Sequence, residues 1–246
     1  MMKKPKVIVV MPAYNAEKTI EKTYKEIPEG YVDKVIVVDD ASRDRTVEIA
    51  RKLGLKTIVH HKNKGYGGNQ KTCYKEALKE GADIIVMLHP DYQYDSKKVP
   101  QMIKPIIDGR YDMVLGSRMM SDGARSGGMP IWKIFGNRLL TALENLVLNL
   151  NLSEYHTGLR AYNKEFLKNI PFELNSDDFV FDQETVVQAV SFGFKIGEIS
   201  VPTRYFKEAS SINPKRAFKY GLYTILTLLK FVASKYGIKK YHQFGN

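Results

Sequence analysis

The chain has 246 residues and 43% hydrophobic content, enough for one large α/β domain with a packed core, alone or with an appendage. Its 38 Lys and Arg against 27 Asp and Glu give a net charge of +11, which suits nucleic acid, anionic lipid or anionic small molecules as partners and equally a soluble protein from a Lys-rich proteome. The lone Cys73 excludes an internal disulfide, and the basic then apolar start MMKKPKVIVVMPAYN reads as a first strand rather than a signal peptide, so the cytoplasm is the expected compartment.

Val7 to Met11 is a run rich in β-branched residues, as expected for a strand buried on both faces. A helix is predicted over Ala16–Ile27, a second strand over Lys34–Val38, and a helix over Asp44–Leu53 with Asp44 and Thr46 as caps. Lys56–His60 reads as a third strand, Gly68–Glu80 as a helix, Ile84–Leu88 as a fourth strand and Tyr111–Gly116 as a fifth. This alternation predicts a mostly parallel, doubly wound sheet with flanking helices.

The second half changes character. Ser121–Pro130 is a Gly-rich loop, and Ile131–Leu150 is a long helix with the apolar stripe Ile131, Phe135, Leu139, Ala142, Leu146 and Leu150. Gln183–Phe192 reads as a helix and Lys195–Val201 as a strand. The last helix, Lys215–Lys235, places Phe218, Leu222, Ile225, Leu229 and Val232 on one stripe and Arg216, Lys219 and Lys230 on another face. That pattern suits either a helix packed on the domain with a solvated basic face or one lying in a membrane interface. No apolar run reaches the roughly 18 residues of a membrane span.

Ligands on parallel sheets bind at the carboxyl ends of the strands. Pro12-Ala13-Tyr14-Asn15, Asp39-Asp40 and Asp91-Tyr92-Gln93 all fall there. A strand that runs into a carboxylate and amide cluster offers oxygen ligands to Mg²⁺ or Mn²⁺, which in turn neutralise phosphate. Three such loops converging point to a site for a nucleoside diphosphate.

The motifs VIVVMPAYNAEKTI, VIVVDDASRDRT, NKGYGGNQKT, the Asp91 cluster, GSRM at Gly116, HTGLRAY at His156 and FDQE at Phe181 come in an order that resembles inverting family-two glycosyltransferases of GT-A fold. The closest resemblance is to the branch of dolichol-phosphate mannose synthase and bacterial polyprenyl-phosphate glycosyltransferases. It covers about residues 5 to 206, leaving 207–246 as a C-terminal amphipathic basic helix at the membrane surface. It implies an enzyme that moves a sugar from a UDP- or GDP-linked donor to a polyprenyl phosphate, peripherally bound at the cytoplasmic membrane face and not acting on nucleic acid.

The resemblance assigns Pro12, Ala13, Tyr14 and Asn15 to a cradle for the base, and Asp39 or Asp40 to base or ribose, with Asp40 favoured. Lys64, Gly65, Gly67 and Gly68 precede a helix, which suits either phosphate or a loop needing glycine conformations. Asp91 and Gln93 are candidate metal ligands. His89 stands where the family has its first aspartate, and it is a nitrogen ligand, a sugar contact or neither. Arg118, a candidate catalytic residue, stands at a family position that meets phosphate or the sugar, and Arg160 and Arg204 are candidates for the acceptor phosphate, with structural ion pairing as the alternative. Asp182 and Glu184 are candidate bases, with helix N-terminal charge as the alternative, and Glu154 is a further candidate. Three other functions fit parts of the sequence: a nucleotidyltransferase that releases diphosphate, a non-catalytic nucleotide-sugar-binding module suggested by His89, and a nucleic-acid binder suggested only by the dispersed charge.

Overall fold

The computed structural model describes residues 4–120, 127–204 and 214–245. The first part of the Gly-rich loop, 121–126, and the expected domain boundary at 206/207 lie outside the described residues. In chain order the elements are β1 (Val7–Ala13), α1 (Ile20–Lys25), β2 (Lys34–Asp39), α2 (Thr46–Lys52), β3 (Lys56–Val59), α3 (Tyr66–Lys79), β4 (Ile84–Met87), α4 (Val99–Ile107) and β5 (Met113–Ser117). They continue with α5 (Ile131–Leu148), β6 (Arg160–Asn163), α6 (Lys164–Asn169), α7 (Phe181–Ser191), β7 (Ile196–Ser200) and α8 (Pro214–Lys235).

The strands form one seven-stranded sheet in the order β3-β2-β1-β4-β6-β5-β7. β1 pairs in parallel with β2 and β4, β2 with β3, and β5 with β7; β6 runs antiparallel between β4 and β5. The expected mostly parallel sheet is therefore correct. Alternate residues of β1 enter different cores: Ile8 and Val10 join Tyr74, Phe181 and Phe231, while Val7, Val9 and Met11 join Ile20, Met102 and Ile106. That two-sided burial is why the strand reads as an unbroken apolar run.

Two helices turn much of their apolar stripe outward. α5 buries Asn137, Thr141, Glu144 and Leu148, whereas Ile131 and Leu146 are each 79% exposed and Phe135 is 71% exposed. α8 buries Thr224, Thr227, Leu228 and Phe231 and leaves Phe218, Leu222 and Leu229 in solvent. A Cβ added to Gly221 of α8 would lie 3.7 Å from Leu140 of α5, so the two helices touch. Among the described residues no helix is long and apolar enough to cross a membrane.

Candidate functional site

The sheet order reverses beside β1, which has β2 and β3 on one side and β4 on the other. At that reversal the loops leaving adjacent parallel strands separate and open a crevice. Tyr14 and Asn15 follow β1, Asp39 ends β2 with Asp40 beyond it, and His89 to Gln93 follow β4. Pro12 and Ala13 are buried in β1, paired with Val38 and Asp39. Tyr14 is 54% exposed, and Asn15, at φ 50°, uses its Oδ1 to accept from the Arg43 N–H at 2.9 Å. Of this loop, Tyr14 is left to offer a flat aromatic face.

The two aspartates differ in what they have left. Asp40 accepts from the N–H groups of Lys64 at 2.8 Å and Gly65 at 3.1 Å and meets His60 Nδ1 at 2.8 Å. Asp39 accepts from Ser42 N–H through Oδ2 at 2.9 Å, but its buried Oδ1 has no donor among the described residues. Asn69 Oδ1 is also buried without a donor, while the Asn69 amide donates to Val38 O at 3.0 Å. Two acceptors thus lie buried at the ends of β1 and β2 with capacity for a donor from outside the chain. The sequence favoured Asp40. Its oxygens hold the Lys64–Gly65 loop, and Asp39 keeps the open valence.

The glycines of NKGYGG serve a chain-to-chain contact. Gly65 sits at φ 85°, and a Cβ there would come within 2.6 Å of Asp177 O. A Cβ on Gly67 would meet Phe181 Cβ at 2.7 Å. The N–H groups of Gly67 and Gly68 donate to Asp177 O at 2.8 and 3.4 Å. These first-turn donors of α3, which the sequence offered to phosphate, are occupied by the 175–178 loop. Lys64 is exposed at the rim.

The turn after β4 is fastened on both sides. Asp91 Oδ1 accepts from Gln93 N–H at 3.0 Å, and Tyr92 takes φ 59°. The Arg204 guanidinium lies 4.3 Å above the Tyr92 ring, and both side chains bond Glu26. Arg204 N–H donates to Gln93 O at 2.9 Å, and Tyr94 bridges to Thr203. His89 stacks on Tyr66 at 5.2 Å, with Nε2 at 3.0 Å from the phenol oxygen. Tyr66 donates to Asp182 Oδ2 at 2.6 Å, and Gln70 Nε2 donates to Asp182 Oδ1 at 3.1 Å. Burial holds the His89 imidazole below its ordinary pKa, against the pull of Asp91 and Asp182. Burial first, and Asp182 second, push the Tyr66 phenol well up, so it stays protonated.

A divalent cation fits this edge by its donor set. Asp91 Oδ2 and the Gln93 amide oxygen are hard oxygen donors, two residues apart in sequence on a pinned turn, of the type such a cation takes. Among the described residues no three His, Cys, Asp or Glu side chains gather around one point.

The family profile for glycosyl transferase family 2 matches residues 8–170. The chain belongs to glycosyl transferase family 2. An uncharacterised protein of Methanocaldococcus jannaschii is 36% identical to it over 208 residues, 85% of each chain. The UDP-N-acetylglucosamine–dolichyl-phosphate N-acetylglucosaminyltransferase of Methanococcus voltae is 30% identical over 241 residues, 91% of this chain and 96% of that one. Glucosyl-3-phosphoglycerate synthase from Mycobacterium tuberculosis, crystallised with Mn²⁺, UDP-glucose and phosphoglyceric acid, superposes with TM-score 0.69 at 19% identity. The match covers 92% of this chain and 79% of that one, and it confirms the GT-A fold.

In this family 2 glycosyltransferase several expected site residues turn inward. Arg160 has no exposed surface, and its guanidinium donates to the carbonyls of Thr157, Asp182 and Tyr155 at 2.8, 2.8 and 3.0 Å. It braces the loop and cannot also bind an acceptor phosphate. Glu184 accepts from Ser176 N–H at 2.6 Å and bonds Gln243, away from the strand ends. Its carboxyl is raised, by burial first, and it supports the 175–178 loop and the C-terminal segment. Arg118 donates through its N–H and Nε to Glu154 at 2.7 and 2.9 Å and through Nη2 to His156 O at 2.6 Å. Burial alone would raise the Glu154 carboxyl, but Arg118 outweighs it and holds the carboxyl low, as a charge-paired brace. Sequence reading missed Tyr66, Asn69 and Gln70, although all three lie in the quoted NKGYGGNQ stretch. The signal was available in spacing, since 66, 69 and 70 share one face of a helix that begins at Tyr66.

Proposed function

We propose that this glycosyltransferase moves a sugar from a nucleoside-diphospho-sugar to a polyprenyl phosphate of dolichyl type, with inversion, at a membrane surface. The observation that carries the lipid acceptor is the outward apolar face of α5 and α8 and its link to the site. His156 Nδ1 meets Tyr220 of α8 at 2.8 Å, and Nε2 lies 3.0 Å from Glu144 of α5. The His156 carbonyl accepts from Arg118, and the neighbouring Gly158 packs on His89. One short segment therefore ties the apolar helices to the strand-end crevice. Lipid-linked acceptors present their phosphate at the interface, and an enzyme that lays two apolar helix faces there reaches it without a membrane span. The dolichyl-phosphate acceptor named for the Methanococcus voltae relative agrees with this reading.

In this reading Tyr14 stacks on the base, and Asp39 Oδ1 with Asn69 Oδ1 accepts from base or ribose. Asp91 and Gln93 would hold Mg²⁺ or Mn²⁺, which when bound would offset charge on the departing diphosphate. An acceptor phosphate oxygen bonds to the anomeric carbon as the bond to the donor's diphosphate breaks on the opposite face. The acceptor is already ionised and needs no proton removed. This agrees with Asp182, whose two oxygens are taken by Tyr66 and Gln70. Arg204, held at the rim by Glu26 and Tyr92, is placed to meet the acceptor phosphate on release from Glu26.

The test is a binding panel of UDP, GDP and their sugars with Mn²⁺, Mg²⁺ or chelator, followed by transfer assays. We predict a metal-dependent rise in melting temperature with one nucleotide. Asp91→Ala should lose that rise and at least about 100-fold of transfer with its fold intact. Full transfer by Asp91→Ala would sink the metal role.

A further inference from the structure

We propose that Tyr66 is a specificity-determining residue: by closing off the Asp182 carboxylate it denies the enzyme a general base, so that sugar passes to an ionised phosphate oxygen and not to a hydroxyl group or to water. The inference rests on the proposed transfer to a polyprenyl phosphate, and it adds a reason why the donor survives hydrolysis.

A general base must lie within hydrogen-bond reach of the proton it takes. Asp182 stands in the first turn of α7, and its side chain is only 10% exposed. Its Oδ2 accepts from the Tyr66 hydroxyl at 2.6 Å and lies 3.8 Å from Arg160 Nη2, while Oδ1 accepts from Gln70 Nε2 at 3.1 Å. Both donors are fixed in turn. Tyr74 donates to Gln70 Oε1 at 2.7 Å, which turns the amide so that Nε2 faces Asp182. The Tyr66 ring packs against His89 and Phe179, with centroids 5.2 and 4.6 Å away. Its oxygen gives its one hydrogen to Asp182 and accepts from His89 Nε2 at 3.0 Å, so its bonding is complete. Tyr66 and His89 keep part of their surface exposed, whereas Asp182 and Gln70 are buried. The phenol therefore stands between solvent and the carboxylate. The glycines of NKGYGG serve the same closure, because Gly65 and Gly67 let the loop that carries Phe179 come down on α3.

Transfer to water or to a hydroxyl needs one event more than transfer to phosphate. In each, the attacking oxygen bonds to the anomeric carbon as the bond to the diphosphate breaks. Water and alcohols must also give up a hydrogen to a base, and an ionised phosphate oxygen has none to give. Asp39 and Asp91 are assigned to the nucleoside and the cation, which leaves Asp182 as the carboxylate to be kept out. Tyr66→Phe removes a single oxygen and leaves Asp182 Oδ2 and His89 Nε2 facing the vacated place. A water bonded there attacks the sugar and passes its proton to Asp182, releasing free sugar and nucleoside diphosphate.

The experiment follows a labelled donor with the full chain and vesicles carrying either polyprenyl phosphate or the corresponding free polyprenol. We expect the wild type to glycosylate the phosphate and not the alcohol, with free sugar forming about 100-fold more slowly than lipid product. Tyr66→Phe should raise free-sugar release at least about 10-fold, and adding Asp182→Asn to it should return release to the wild-type level. A loss of packing alone lowers every rate and does not create a gain that depends on Asp182. A nucleotide-induced rise in melting temperature shows that each variant is folded. Release that is unchanged in Tyr66→Phe, or raised equally in the double variant, would overturn the role of Tyr66. The wild-type arm needs no variant, and transfer to polyprenol at a rate near that to polyprenyl phosphate would overturn it as well. A wild type that binds nucleotide but transfers to neither lipid would overturn the proposed acceptor and this inference with it.

Discussion

Arg160 shows how a residue that reads as functional can be structural. In sequence it stands in HTGLR, beside other arginines suited to phosphate. In the fold it lies in β6 at the middle of the sheet, with Asp182 Oδ2 at 3.8 Å and three carbonyls around its guanidinium. A buried charge held this way is strongly destabilising to unpair. We predict that Arg160→Ala lowers unfolding free energy by about 3–5 kcal/mol in urea titrations. A loss below about 1 kcal/mol would contradict the bracing role. Glu144 makes a second test. It is fully buried on α5, and its contact with His156 Nε2 at 3.0 Å lacks hydrogen-bond alignment. Burial raises its carboxyl above the ordinary value of 4.5, with His156 opposing. The folded state keeps this proton where the unfolded chain has released it. The stability it confers is therefore full below the unfolded value and is lost as pH rises through the folded one. Glu144→Gln removes that titration, so its melting temperature should gain on the wild type as pH rises above the ordinary carboxyl value of 4.5. A difference that stays constant with pH would refute the linkage.

At the scale of elements, the parallel strands were legible because burial on both faces leaves a continuous β-branched run, as in β1, β2 and β4. α4 was not, because Pro100 and Pro105 break the pattern. Pro100 stands in the first turn, where its missing N–H is harmless, and Pro105 is tolerated near the end of nine residues. β6 was missed because RAYN is four residues with a charge, and only its pairing with Ile84–Met87 on one side and Met113–Leu115 on the other explains its place. The stripes of α5 and α8 were read correctly as stripes, but periodicity does not say which face turns inward. Asn137 donates to Glu154 at 2.7 Å and so helps draw the polar face of α5 into the domain. This leaves Phe135, Leu139, Phe218 and Leu222 outside with Lys133, Lys215, Lys219 and Lys230 on the same helices. Inserting one such side chain into lipid is worth roughly 1.5–3 kcal/mol. Phe135→Asp with Leu222→Asp should therefore leave the melting temperature nearly unchanged and abolish sedimentation with anionic vesicles. Retained vesicle binding would refute this face as the contact.

For the whole molecule, a mostly parallel sheet and the convergence of three loops at its strand ends were foreseeable from alternation and strand-end chemistry, whereas the strand order, with antiparallel β6 between β4 and β5, was not. The division of labour inside the site was not. Asp39 and Asp40 are neighbours in sequence, and only the third partner, the Lys64–Gly65 loop, decides which of them is left open. The same holds for Asp182, whose oxygens are taken by Tyr66 and Gln70 of α3, 116 and 112 residues earlier in the chain. The net charge of +11 and the outward apolar helices suit a protein that works against an anionic lipid surface. The most direct measurement is transfer itself. Purified protein, vesicles carrying a polyprenyl phosphate, and labelled UDP- or GDP-sugars would be incubated with Mn²⁺. The organic phase would be analysed for glycosyl phosphate lipid and the aqueous phase for nucleotide. The account predicts a lipid-linked sugar of inverted anomeric configuration, with one nucleoside diphosphate released for each sugar transferred. Turnover that releases inorganic diphosphate, or no lipid product with any donor that binds, would contradict it.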